Sequence, residues 1–248
     1  MTYDFCKFND SKAGKPAELF FYGDIVSDSW GAWNPEDQYP LNVQQLLKDI
    51  DGSDIDIHIN SGGGDVFAGV AICNMLRSCS GHKTVYIDGL AASIASVIAM
   101  AGDEIVIPDN AYMMIHKAWT LAMGNADDMR KLAGDLDKID GGIVATYMMR
   151  AAEGVTEKQI QKLMAAETWL TGAEASNLFS NVRLEQEMAA AVSIGGRFAD
   201  KYSNVPEALR GKAGTPCGVV PKPAQADVPE DMAGYARCLR VMRAAYEI

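Results

Sequence analysis

Ile55-Asp56-Ile57-His58-Ile59-Asn60 alternates apolar and polar residues strictly, so a strand here turns its three isoleucines to one face and His58 to the other. Short apolar runs at 19–22, 84–87, 104–107 and 112–115 predict further strands. Between them apolar residues recur at helical spacing, predicting helices over 43–49, 66–77 and 93–101. Strands alternating with helices predict an α/β fold, with helices covering a sheet and functional residues gathered at strand ends. A long helix follows over 126–152, carrying Met129, Leu132, Leu136, Ile139, Ile143, Val144 and Tyr147 on a 3.6-residue repeat. Gly141 and Gly142 lie inside it, and each weakens an isolated helix by about 1 kcal/mol. Close packing against a partner is therefore expected. Another helix is expected over 156–166, with Thr156 as N-cap and Gln159 three residues on.

Beyond about Gly195 the pattern changes. Gly211 to Pro216 and Val219 to Ala224 read as flexible or extended linker, because prolines and small residues neither sustain a helix nor bury a core. Met232, Tyr235, Leu239, Met242 and Tyr246 return to helical spacing after Pro229. The expected organisation is an N-terminal segment (1–18), a main domain (19–194), and a linker with a helical tail (195–248).

Composition narrows the function classes. With 248 residues, 48% hydrophobic and 22% charged, the chain can bury one sizeable core. A net charge of -11 argues against nucleic acid or anionic membrane as partners, since both need clustered Lys and Arg. Met1 to Asp10 has no basic start followed by an apolar core, so no secretory signal is expected. The longest apolar window, Leu90 to Ala101, is too short to cross a bilayer. The five cysteines are odd in number and form no Cys-x-x-Cys pair, which predicts reduced thiols in a cytoplasmic protein and no zinc site. No metal or other cofactor is expected.

The chemistry concentrates at Ser93, in Gly89-Leu90-Ala91-Ala92-Ser93-Ile94, where a polar residue stands at the mouth of an apolar helix pattern between small neighbours. A serine hydroxyl becomes nucleophilic when a neutral imidazole takes its proton. A helix start also supplies N–H groups to an oxyanion, although capping alone is an ordinary task for serine. The histidines are His58, His82 and His116. His82 falls in a polar turn, whereas His116 ends an apolar run and can stand at a strand end facing a cleft. Ser61-Gly62-Gly63-Gly64-Asp65 links a strand to a helix, and its glycines allow positive φ and close approach to a ligand. Such a loop can offer N–H groups to an anion, but no Gly-Lys-Ser/Thr ending marks it as a phosphate loop.

Four ordered blocks, Asn60 to Gly64, Gly89 to Ser93, Met114 to His116 and Glu167 to Ala175, resemble the ClpP family of self-compartmentalising serine peptidases, its phage and prophage branch in particular. The resemblance covers about residues 19 to 182. It implies a crotonase-type spiral of ββα units with a projecting handle helix at 126–152. It also implies Ser93 as nucleophile, His116 as general base, Glu167 as the acid, and the N–H groups of Gly63 and Ile94 as oxyanion hole. Gly62 stands where the housekeeping motif has proline, Leu90 where glutamine is common, and Phe179-Ser180-Asn181-Val182 where a glycine-containing ending is usual. Asp127, Asp128, Asp135, Asp137, Asp140 and Glu153 remain alternative acids, and Lys117 an alternative base in a Ser-Lys dyad.

The function so implied is serine endopeptidase activity on polypeptide substrates, inside a homo-oligomer of seven-membered, usually stacked rings. Phage capsid or scaffold proteins are the substrates implied by the phage branch. An ATP-driven unfoldase is a further partner of the housekeeping enzymes, but residues 1 to 18 do not match their unfoldase-contacting loops. Two other classes remain open. A crotonase-like acyl-thioester enzyme would share the fold and oxyanion hole, and a non-catalytic shell or scaffold protein would share the oligomer without turnover.

Overall fold

In a computed structural model of the chain, residues 16–50, 52–185 and 202–206 are described. All belong to the first of two compact units, residues 1–211. The expectations for Met1 to Asp10, for Cys6, Cys217 and Cys238, for the linker stretches 211–216 and 219–224, and for the helix after Pro229 lie outside the described residues.

Ile55, Ile57 and Ile59 are fully buried, as the alternation requires. They belong to β2 (Ile55–Ser61), which runs parallel between β1 (Ala17–Phe21) and β3 (Lys83–Ala92). Helices α1 (Pro40–Ile50) and α2 (Val66–Ser78) follow β1 and β2. The Asp65 carboxylate caps α2 by accepting from Ala68 N–H at 2.7 Å, a local reason for the helix to begin there. At the other end of α2 the nearly buried Lys83 ammonium donates to the Cys79 and Gly81 carbonyls at 3.2 and 2.7 Å and pairs with Asp103 at 3.1 Å. Burial alone would raise the Asp103 pKa, but the hydrogen bonds and charge of Lys83, with Arg150 beyond, hold it below the ordinary value.

The feature that positions the site is the way β3 divides its free edge. Thr84 to Tyr86 pair in parallel with Glu104 to Val106 of β4 (Glu104–Pro108), while Leu90 to Ala92 pair in parallel with Tyr112 to Met114 of β5 (Tyr112–Ile115). Two parallel strands therefore finish side by side, and the residues just past them are Ser93 and His116. Sequence periodicity ends the β3 strand at Ile87. It in fact runs on to Ala92, because the wholly buried Gly89 to Ala92 segment is covered on both faces and has no polar alternation to reveal it.

Helix α3 (Ile94–Ala99) starts one residue later than expected. Helix α4 (Ala126–Met148) begins as expected, under a capping box of Asn125 and Asp128, and ends four residues early. Among the described residues, nothing beyond the helix's own backbone lies within 4 Å of a Cβ built at Gly141 or Gly142. Helix α5 (Glu157–Ala165) carries a complete capping box from Thr156 and Gln159. Three elements were not expected: β6 (Thr168–Thr171), antiparallel to β5; α6 (Gly172–Leu178); and β7 (Val182–Glu185), parallel to β4. The Thr171-x-x-Glu174 capping box that starts α6 is a signal the sequence carried.

Candidate active site

Ser93 lies between the end of β3 and the start of α3, with φ 56° and ψ -129°. A side-chain-bearing residue with positive φ costs on the order of 1–3 kcal/mol and persists only where the surroundings enforce it. Here Ser93 N–H donates to the Met114 carbonyl at 2.9 Å, continuing the β3–β5 pairing one residue further. On the other side Ser96 Oγ donates to the Ser93 carbonyl at 2.6 Å and meets the buried Tyr147 hydroxyl at 2.8 Å. Held in this way, the Ser93 hydroxyl stands off a sharp strand-to-helix turn, as in the nucleophile elbows of hydrolases. Ser93 Oγ and His116 Nε2 are 2.7 Å apart, within hydrogen-bond reach.

The glycine loop packs directly on this turn. Gly63 has φ 83°, and a Cβ placed on it would come within 2.7 Å of the Ala92 carbonyl oxygen and 2.8 Å of Ser93 Cβ, so no larger residue fits. Gly63 N–H donates to Ser61 Oγ at 3.1 Å, and Ser61 Oγ in turn donates to the Gly23 carbonyl at 2.6 Å. The loop thus brings Gly63 against Ser93 and Ile94, with its N–H engaged inside the protein.

Glu167 follows the C-cap of α5 in the left-handed region, φ 48°, a position where helices usually place glycine. That choice costs roughly 1–2 kcal/mol. Its carboxylate accepts from the backbone N–H groups of Ser203 and Asn204, at 3.2 Å on Oε2 and 2.6 Å on Oε1. Of the alternative acids, Glu153 is exposed, and the other five are committed elsewhere. Asp127 pairs with Arg130, Asp128 caps α4, and Asp135 pairs with Lys138. Asp140 accepts from Ala118 N–H at 2.8 Å and pairs with Lys117 at 3.3 Å, while Asp137 lies 3.8 Å from the same lysine. Lys117 is thus turned to these two carboxylates, which leaves the hydroxyl of Ser93 with His116.

Sequence reasoning missed Tyr202. Its ring is almost fully buried, stands edge-on to His116 at a centroid distance of 5.5 Å and to Trp169 at 5.9 Å, and packs with Val205 onto Leu90, Ala92 and Met114. Its hydroxyl donates to the Gly62 carbonyl. Burial pushes its phenol pKa up, against a hydrogen bond with Ser93 that lowers it.

The other histidines sit apart. His58, stacked between Phe20 and Tyr86 on the polar face of β2, places Nδ1 2.9 Å from Asp88 Oδ2, and Tyr22 donates to the same oxygen at 2.6 Å. Burial works against the imidazolium, but the Asp88 hydrogen bond and charge, with Glu18 and Asp56, outweigh it and raise the His58 pKa. A raised folded-state pKa contributes stability that is complete below the unfolded value of about 6.5 and is lost as pH rises through the folded value. Melting temperatures measured across this range should therefore fall with rising pH, and Asp88→Asn should flatten that slope. His82 is exposed, 3.9 Å from Asp103.

Among the described residues no cluster of three His, Cys, Asp or Glu side chains could hold a metal ion, and no helix is long and apolar enough to cross a membrane.

Comparison with known proteins bears on the fold and the family. A solved structure of a ClpP1 point mutant from Listeria monocytogenes superposes with a TM-score of 0.57 at 22% identity, covering 68% of this chain and 91% of that one. This likeness establishes the fold. The ATP-dependent Clp protease proteolytic subunit of Bacteroides fragilis is 30% identical over 147 residues, 56% of this chain and 70% of its own length. The subunit of the same description from Deinococcus radiodurans is 33% identical over 110 residues, 42% of this chain and 53% of its own length. The family model described as Clp protease matches residues 38–178, which include Ser93, His116, Glu167 and the glycine loop. On these grounds the chain belongs to the Clp protease family.

Proposed function

We propose that this chain is a serine endopeptidase with Ser93 as nucleophile, His116 as general base and Glu167 as the acid. The observation that carries the reading is the 2.7 Å approach of Ser93 Oγ to His116 Nε2, with Ser93 held at positive φ. In this mechanism His116 Nε2 takes the hydroxyl proton as Oγ attacks the peptide carbonyl, then returns it to the leaving amine. Water, activated by the same nitrogen, hydrolyses the acyl-enzyme. Glu167 stabilises the imidazolium. The N–H groups of Gly63 and Ile94 hold the oxyanion, for which Gly63 N–H turns away from Ser61 Oγ.

Mass spectrometry after fluorophosphonate treatment tests this reading. Modification at Ser93 is expected, and modification of a different residue in its place would overturn it. The same result separates this reading from a crotonase-like enzyme, which needs no activated serine, and from a non-catalytic shell protein.

Oligomerisation belongs to the same reading. Trp119, Leu121 and Met123, in the segment leading to α4, are 56%, 89% and 91% exposed, a cost in water that a second subunit would remove. Gly141 and Gly142 leave room for close approach to α4. Light scattering should report a mass several times that of one chain, and Leu121→Asp combined with Met123→Asp should lower it. A fully active monomer would remove the claim. The assignment of phage capsid or scaffold proteins as substrates is supported by the resemblance to the phage branch, while the relatives compared above are bacterial proteolytic subunits.

A further inference from the structure

We infer that Tyr202–Pro206 is an intramolecular strap that occupies the catalytic cleft and holds the peptidase in a latent state. The inference rests on the serine-peptidase reading and adds a regulation that the reading does not contain.

Glu167 and His116 are engaged by this segment, and Gly63 within its own loop. Ser203 and Asn204 N–H groups bind the two oxygens of Glu167, the groups that would otherwise serve the imidazole. Tyr202 stands edge-to-face with His116, and its hydroxyl donates to the Gly62 carbonyl, next to the proposed oxyanion donor. Gly63 N–H points to Ser61 Oγ. Asn204 Nδ2 donates to the Ala166 carbonyl at 3.0 Å, fixing the segment to the end of α5 at the residue before Glu167. Tyr202 and Val205 anchor the strap by burying their side chains, at 6% and 4% exposure, against Leu90, Ala92 and Met114.

The occupant is polypeptide with buried side chains and main-chain N–H groups offered to the site, the chemistry a peptidase cleft accepts. Because it is part of the same chain, it competes at an effective concentration of order millimolar without being diluted. Substrate then reacts only with the fraction of molecules whose strap is open, and the apparent rate is scaled by that fraction.

The test uses the full chain and compares the rate of fluorophosphonate labelling at Ser93 in wild type, Tyr202→Ala and Tyr202→Phe. Tyr202→Ala removes the anchor and is expected to label about tenfold faster or more. Tyr202→Phe keeps the ring but loses the hydroxyl's bond to the Gly62 carbonyl, and a smaller acceleration is expected. It also decides the matter if the alanine variant fails to fold. A synthetic peptide of residues 202–206 should slow labelling of Tyr202→Ala in proportion to its concentration. Labelling at Ser93 that is unchanged or slower in these variants would overturn the strap, since a merely structural or positioning Tyr202 can only leave the rate alone or reduce it. No labelling of Ser93 in any variant, with no peptide cleavage, would instead sink the serine-peptidase reading and the strap with it.

Discussion

Ser93→Ala is expected to abolish fluorophosphonate labelling and to reduce peptide turnover by on the order of 10⁶, the loss typical when a triad nucleophile is removed. The fold should survive, because the bonds that hold the turn, Ser93 N–H to Met114 and Ser96 Oγ to the Ser93 carbonyl, do not involve the deleted hydroxyl. Ser96→Ala is the informative control. It withdraws a buried partner from Tyr147 and from the Ser93 carbonyl, so a stability cost of about 1–3 kcal/mol is expected. Labelling at Ser93 should persist. The two variants separate chemistry from scaffolding, read by peptide assay on one side and by melting temperature on the other. Wild-type turnover in Ser93→Ala would refute the assignment.

Glu167→Gln is the second large effect, and its sign discriminates between two roles. As the acid of the triad, Glu167 stabilises the imidazolium formed during attack, and an amide cannot, so turnover should fall by on the order of 10⁴. As nothing more than an anchor for Ser203 and Asn204, the same change would turn an NH₂ donor toward one of two N–H donors, loosen the segment and raise turnover. We expect the fall. Glu167→Asp keeps the charge on a shorter arm and should retain part of the rate. A rise in Glu167→Gln, or no change, would place the acid elsewhere, with Asp140, buried beside Lys117, the first residue to vary next.

Much of the scaffold was legible because its signals are local. Strict alternation marked β2, the short apolar run marked β5 to the residue, and Asp65 marked the start of α2. Buried parallel strands lack that alternation, so the last five residues of β3 read as the approach to a helix. The short elements β6 and β7 carry too few residues for a period to appear, although Thr171-x-x-Glu174 announced α6 between them.

The sequence by itself determined the candidate chemistry. It supplied a serine among small neighbours, a histidine at a strand end, a glycine loop, and the order of blocks that points to the family. Pairing in space was decided by the tertiary structure, because parallel registration of Leu90 to Ala92 with Tyr112 to Met114 is a long-range contact that aligns two strand ends and sets Ser93 beside His116. Backbone strain at Ser93 and Glu167 is likewise imposed by surrounding packing, against the local preference of both residue types. The engagement of Glu167 by residues 36 and 37 positions further along the chain has no local signature at all. Tyr202 reads in sequence as one more aromatic after the domain. Only the fold brings its ring onto His116, since contact between such distant residues is selected by the shape of the cleft, which no short window of residues encodes.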